Sequence, residues 1–450
     1  MTKNIFAQDN SEESIPTWEE GIRLNFTDST IKNSKDINVL SLFSGCGGMD
    51  LGLEGGFIVH KDSISLKNFT DFVENKIDHN LVRLKSNKFR TVFANDILNE
   101  AKIAWIHNFT KLGHDSNIFH SESIVDLVKM HKAGASIFPK DVDVVTGGFP
   151  CQDFSIAGKR NGFTSHKDHN GKIINTEIAR EETRGKLYTW MKEVIEITKP
   201  KIFIAENVKG LVNLSNVKEI IQRDFSKADG NGYIVLEPQV LHSADYGISQ
   251  SRERVIFIGI RKSALNKKAL KALSLTQIPD EYNPYPKPTH AFKTKEKGLA
   301  EIQTLENIFS TLEEPEKSSD PSQMFYSKAK FMGVHCQGQT EMNLQSIAPT
   351  IRAEHHGNIE FRRLSKENGG KIDVELKRGL RERRLTPREC GIIQSFPPDF
   401  DFVIPKNKNN TQFLLSPSGA YKVIGNAVPP LLAYHIGKRI EKLWDLYFKN

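Results

Sequence analysis

The chain has 450 residues, enough for about two to four domains and a sizeable core. Apolar residues make up 38% and charged residues 26% of a mixed-complexity sequence, which excludes collagen-like, coiled-coil and wholly disordered chains. Subtracting 55 acidic from 62 basic side chains leaves +7, a mild excess that fits a polyanionic partner without requiring one.

The N-terminal MTKNIFAQDNSEES lacks the basic-then-apolar pattern of a signal peptide, and residues 1–36, with seven acids against four bases, read as a flexible polar leader. INVLSLF (37–43) is an apolar run that ends in the glycine cluster SGCGG, followed by the helix-compatible MDLGLEGGF. Further apolar runs follow at TVFAN (91–95), VDVVTGG (142–148), KIFIAEN (201–207), YIVLEPQVL (233–241) and RVIFIGI (254–260). Helical patterns lie between several of them, as in LYTWMKEVIEITK (187–199). This alternation predicts an α/β fold with a doubly wound, mostly parallel sheet over residues 37–262. Residues 58–90 look inserted. After Ile260 the texture turns Lys- and Pro-rich, and residues 263–404 read as a second, smaller domain in which SIAPTIRA and NIEFRRL predict short antiparallel strands. There the segment Lys377–Glu389 carries six bases against two acids, a run whose bland reading is a solvated face. Residues 405–450 return to a helical pattern and to the first domain. No run approaches the roughly 18 apolar residues of a membrane span, so a cytoplasmic protein without membrane contact is expected.

Several strand ends carry candidate chemistry. The turn LFSGCGGMDLG brings backbone amides near a ligand at a helix start, or is simply a tight structural turn, since it departs from the GxGxxG spacing. In VFANDI, Asp96 is either a helix cap or a carboxylate for a ribose hydroxyl. The four cysteines show no CxxC or Cys/His spacing, which argues against a disulfide framework or a zinc site. Cys151 follows a strand, two glycines, Phe149 and Pro150, with Lys159 and Arg160 downstream, the surroundings of an exposed and electropositive thiol. Glu206 in FIAENVKGL is a cap or a working carboxylate.

Taken in order with SQSRERVIFIG, TPRECGIIQSFPPDF and YKVIGNAVPP, these blocks resemble the cytosine-5 DNA methyltransferase family over nearly all of residues 38–437. The resemblance implies a Rossmann-like fold that uses S-adenosyl-L-methionine, without metal, to methylate cytosine in double-stranded DNA. It places Phe43, Gly45, Gly47, Asp96, Leu187 and Asn426 at the cofactor. Cys151 resembles the nucleophile, Glu206 the carboxyl group at the cytosine N3 and N4 edge, and Arg252 and Arg254 the arginines that hold the base and its surroundings. Ser155, Lys159 and Arg160 are implied DNA contacts in the loop after Cys151. The sequence departs from the pattern at Ser121–Ser123, where an acid usually meets the adenine, at Ile97, where an aromatic often stacks, and at Asp153–Thr183, which is unusually long.

The expected biology is the modification half of a bacterial restriction-modification system, a monomer paired in function with a restriction endonuclease but not in a stable complex. A tRNA cytosine-5 methyltransferase of the same architecture is the alternative, and the long segment between RVIFIGI and RRLTPREC favours a DNA-reading domain over it. Amino-group methyltransferases need an Asp-Pro-Pro-aromatic strand end that is absent here. A nucleotide-binding dehydrogenase does not account for Cys151, Glu206 and the two arginines together, and a non-catalytic DNA-binding regulator does not need the Cys and Glu.

Overall fold

The computed structural model describes residues 36–65, 70–150, 187–213, 216–294, 296–353, 359–372, 374–407 and 412–449. Along the chain run strands β1 (Ile37–Leu42), β2 (Ile58–His60), β3 (Val73–Lys76), β4 (Leu81–Leu84), β5 (Phe89–Asn95), β6 (Phe119–His120), β7 (Val144–Gly147), β8 (Ile202–Val208), β9 (Tyr233–Val235), β10 (Gln239–His242) and β11 (Glu253–Arg261). Successive side chains of a strand point to opposite faces, and this period feeds two separate cores. From β1, Ile37 and Val39 enter one and Leu40 and Leu42 the other; β8 divides likewise between Ile202 and Ile204 on one face and Phe203 and Ala205 on the other. A strand that must be apolar on both faces reads as a continuous run, which is why these segments stand out in the sequence.

The main sheet has the order β10-β11-β8-β7-β1-β5-β6, with β9 paired to the far end of β11. From β8 to β6 the strands are parallel, as expected of a doubly wound sheet. The β11 edge departs from that pattern: β11 runs antiparallel to β8, and both β9 and β10 run antiparallel to β11. The run YIVLEPQVL forms two strands because Pro238, which lacks an amide donor, falls between them. Helices cover both faces. Helix α1 (Gly48–Glu54), α2 (Asn99–Phe109) and the C-terminal helix Pro430–Phe448 supply Leu51, Trp105 and Leu431 to the first core. Helices α3 (Ile124–Lys132), α4 (Leu187–Thr198) and α5 (Val217–Ser226) supply Val128, Met191 and Phe225 to the second.

The inserted segment folds as a small antiparallel sheet of order β2-β4-β3. It docks on the C-terminal helix, where the Phe72 ring meets Tyr434 edge-on at 5.5 Å and the Tyr434 hydroxyl donates to the carbonyls of Phe72 and Lys85. In the second region, β12 (Phe361–Arg363) pairs antiparallel with β13 (Arg383–Arg384), within the expected NIEFRRL element. SIAPTIRA forms no such strand. It lies against residues 249–251 instead, through a bridge from Ala348 to Gln250 and the bond from the Ser251 amide to the Ala348 carbonyl. The basic run divides in half: Arg383, Arg384 and Arg388 are buried, whereas Lys377, Arg378 and Arg381 are exposed. Arg383 donates to Glu389 at 2.8 and 2.9 Å and to Glu314, while Arg363 bridges Glu314 and Glu375.

Close approach of α1 to the C-terminal helix depends on Gly52, because a Cβ there would lie 2.2 Å from the Pro430 carbonyl oxygen and 2.5 Å from the Ala433 Cβ. Gly52→Ala should destabilise the protein by about 1–3 kcal/mol through overpacking. In urea titrations the unfolding midpoint should fall with the slope unchanged, and an unaltered midpoint would contradict this packing.

Candidate active site

The turn that leaves β1 is built from backbone conformations that favour glycine: φ is +53° at Phe43, +56° at Gly45 and +87° at Gly47. A Cβ on Gly47 would fall 2.3 Å from the Phe109 ring, so only glycine fits, whereas the Cβ side of Gly45 faces open space. Asp96, at the end of β5, holds the turn: its two carboxylate oxygens accept from the Gly45 and Leu98 amides, each at 2.9 Å. It therefore braces the turn and the residue before α2 without capping that helix, whose N-cap position is Leu98, and each oxygen keeps acceptor capacity for a ligand hydroxyl. Burial pushes its pKa up. Ile97 next to it is an exposed apolar side chain, and at the neighbouring end of β6 the buried Glu122 Oε2 has no hydrogen-bond partner among the described residues.

Behind the turn, Asp50 is buried and accepts from the Ser41 hydroxyl at 2.5 Å and the Trp105 indole at 2.8 Å. Burial pushes its pKa up to about 6. Gly48 lies against the C-terminal GNAVPP block, since a Cβ there would be 2.2 Å from the Val428 carbonyl oxygen. Asn426 is exposed at the end of helix Pro417–Asn426, and Leu187 is buried at the start of α4.

The second cluster forms where β7, β8 and β11 are neighbours. Glu206 is buried, and its Oε1 accepts from the Arg254 Nε at 2.7 Å. Burial raises the Glu206 pKa, and the charges of Arg254 and Arg252 only partly oppose it. Its other oxygen faces Gly148, where a Cβ would come within 2.9 Å. Asn207 donates to the Phe149 carbonyl at 3.1 Å and so ties this strand end to the segment that leads into Cys151. Cys151, Ser155, Lys159 and Arg160 lie outside the described residues. Of the other cysteines, Cys46 and Cys390 are buried, and burial pushes both thiols away from ionisation.

Arg252 is placed differently from Arg254. It is buried and donates to three carbonyls, those of Ile351, Gly425 and Ala427, at 3.1, 3.0 and 2.8 Å. Gln250 continues the linkage, donating to Gln394 at 2.9 Å, and Gln394 donates to the Ile424 carbonyl at 2.8 Å. Blocks far apart in sequence thus meet at one end of the sheet. Asp50, Gly148, Gln250 and Gln394 were not singled out from the sequence, and Glu122 entered only inside the departing segment Ser121–Ser123; Asp50 left a trace as an acid in the first turn of an otherwise apolar helix.

Residues 37–442 match the family described as C-5 cytosine-specific DNA methylase. The chain belongs to that family. It is a DNA cytosine-5 methyltransferase. It is 31% identical to the Type II methyltransferase M.BsuRI of Bacillus subtilis, over 97% of this chain and 87% of that protein. It is likewise 31% identical to the Type II methyltransferase M.BspRI of Lysinibacillus sphaericus, over 93% and 84% of the two chains. The crystal structure of S. pombe Dnmt2 methyltransferase shares the fold, with a TM-score of 0.53 at 17% identity over 91% of this chain and 99% of that one. Membership of this family implies S-adenosyl-L-methionine as the methyl donor. No described helix is long and apolar enough to cross a membrane.

Gly148→Ala in this methyltransferase should displace the Glu206 carboxyl group, the movable partner in that contact, and leave the strand in place. Single-turnover methyl transfer should slow by about tenfold or more with little change in thermal stability; a wild-type rate would show that the carboxyl position is not critical. Asp50 makes a separate prediction about pH. Its folded-state pKa lies above the ordinary carboxylate value near 4, so the folded protein binds the extra proton and is most stable below that value. The stability is lost as pH rises through about 6, and the component amounts to roughly 3 kcal/mol. Urea midpoints measured from pH 4 to 8 should decline less steeply for Asp50→Asn than for wild type, and equal slopes would sink the assignment.

Proposed function

We propose that this methyltransferase is site-specific, modifies a cytosine flipped out of duplex DNA, and protects host DNA from a cognate restriction endonuclease. The observation that carries the catalytic part is the buried Glu206–Arg254 pair set against Gly148, three residues before Cys151. The names of both bacterial relatives, Type II methyltransferase, support the restriction-modification part. In this reading residues 37–262 and 405–450 hold the cofactor and perform the chemistry, while residues 263–404 recognise the site. The enzyme acts as a cytoplasmic monomer, without a stable complex with the endonuclease.

The residues present fit the cofactor. Phe43, Gly45 and Gly47 form a turn with open space at Gly45, Asp96 offers acceptor capacity for ribose hydroxyls, and Leu187 and Asn426 complete the pocket. Glu122 Oε2, which has no hydrogen-bond partner among the described residues, takes the place of the usual acid as acceptor for the adenine amine. When bound, S-adenosyl-L-methionine supplies an electrophilic methyl group on its sulfonium.

Cytosine C5 is a weak carbon nucleophile, and addition of the Cys151 thiolate at C6 converts the ring into an enamine. That addition places negative charge near N3. Glu206, kept protonated more readily by burial, delivers or shares a proton there, and Arg254 fixes the orientation of its carboxyl group. Arg252 acts behind them by fixing the strand that carries Arg254. Loss of the C5 proton and departure of the Cys151 thiolate then release 5-methylcytosine. Since C6 is stacked inside a duplex, the base must first leave the helix at a cost of a few kcal/mol. Ser155, Lys159 and Arg160 contact the DNA backbone during that step.

Labelled methyl from S-adenosyl-L-methionine should appear in duplex DNA at one short site, as 5-methylcytosine; label in tRNA alone would support the RNA alternative. A duplex carrying 5-fluorocytosine should trap the wild-type protein covalently, because fluorine at C5 blocks the final elimination. Cys151→Ser should not be trapped, and its capture on that DNA would remove Cys151 from the nucleophile's role.

A further inference from the structure

The arginines of the second region are largely committed within the protein. Arg362, Arg363 and Arg383 are tied to Glu314, Glu375 and Glu389. Arg384 is 1% exposed and turned inward. Its guanidinium donates to the carbonyls of Ala329 at 2.7 Å, Lys330 at 3.0 Å and Gly338 at 2.7 Å, and to that of Ile359. One side chain therefore clamps both stems of the loop 331–337. Inside the loop the Met332 amide donates to Gln339 Oε1 at 2.9 Å, and the Cys336 amide to the Gly333 carbonyl at 3.1 Å.

The tip of this braced loop is apolar and fully presented. Val334 is 85% exposed, more than any other large apolar side chain among the described residues, and Met332 is 55% exposed. Residues 325–340 contain Lys328, Lys330 and His335 and no acid. The loop is also joined to the catalytic end of the sheet. Gln337 Oε1 accepts from Arg352 at 2.7 Å; the Arg352 backbone lies against Gly425, and the Ile351 carbonyl accepts from Arg252, two residues before Arg254. An exposed apolar tip costs solvation in the free protein, and a rigid base means that it does not fold away. Flanking positive charge selects a polyanion.

We infer that loop 331–337 is a specificity loop for DNA, and this rests on the methyltransferase reading above. Met332 and Val334 pack against base edges next to the target cytosine, where apolar side chains can meet a thymine methyl or a base face, while Lys330 and His335 take backbone phosphates. Arg384 is its positioning residue.

The test uses the full-length protein and a fluorescent duplex carrying the site that the wild type methylates. Val334→Asp should weaken binding by about tenfold or more, and Val334→Lys should bind well but discriminate several-fold less against a duplex with one base pair of the site changed. Leu275→Asp makes the same charge change at an exposed apolar residue near the opposite end of β11 and should leave affinity unaltered. Cofactor affinity and thermal stability should match wild type in all three. The inference falls if Val334→Asp binds and discriminates like wild type, if Leu275→Asp is equally impaired, or if Val334→Asp alters only self-association. In those cases wild-type methylation of the duplex leaves the broader reading intact. A wild-type protein that methylates no duplex DNA removes both.

Discussion

The guanidinium of Arg252 is the constraint on which the catalytic end of this protein depends. It is buried and donates from its two terminal nitrogens to three carbonyls, of Ile351, Gly425 and Ala427, which belong to two segments distant from it in sequence. A buried cation is costly unless it is bonded, so these three bonds strongly favour the observed arrangement of those segments. That arrangement carries the consequences: β11 starts where Arg254 reaches Glu206, the GNAVPP block lies on the turn after β1, and residues 348–352 run beside 249–252.

Within that frame the site sets burial against charge. Glu206 is withdrawn from water, which favours its protonated form, yet it bonds to Arg254, which favours the anion. Burial prevails. A carboxyl group placed in this way holds a proton more readily than a solvated one and is still oriented by a cation, which suits the proposed proton delivery to a ring nitrogen. Gly148 belongs to the same device, since the absence of a Cβ makes room for the carboxyl group.

The second region solves a different problem with the same residue types. With short strands and little sheet, it uses Arg363, Arg383 and Arg384 as internal cross-links to carboxylates and carbonyls. Such pairs fix geometry more than they add stability. Positive charge that the sequence offers for DNA is thereby spent on shape, and the shape presents a loop.

The two-faced strands were legible in the sequence because a strand buried on both sides must be apolar throughout, and the helix Leu187–Thr198 was legible from its spacing. The strand-end residues Asp96 and Glu206 were visible for the same reason, as acids at the ends of apolar runs, although whether each capped or worked was open. Asp96 does not cap the helix but ties the Gly45 turn to Leu98, and it keeps lone pairs to spare. Strand direction at the β11 edge, the partners of Arg252 and the fate of the Lys377–Glu389 run were not legible. Each depends on contacts between residues distant in sequence, and local pattern reports only how apolar a position is, not what meets it. The same arginine can read a base or cross-link a core, and only the tertiary structure, by burying Arg383 and Arg384 while leaving Arg378 and Arg381 in solvent, decided between them.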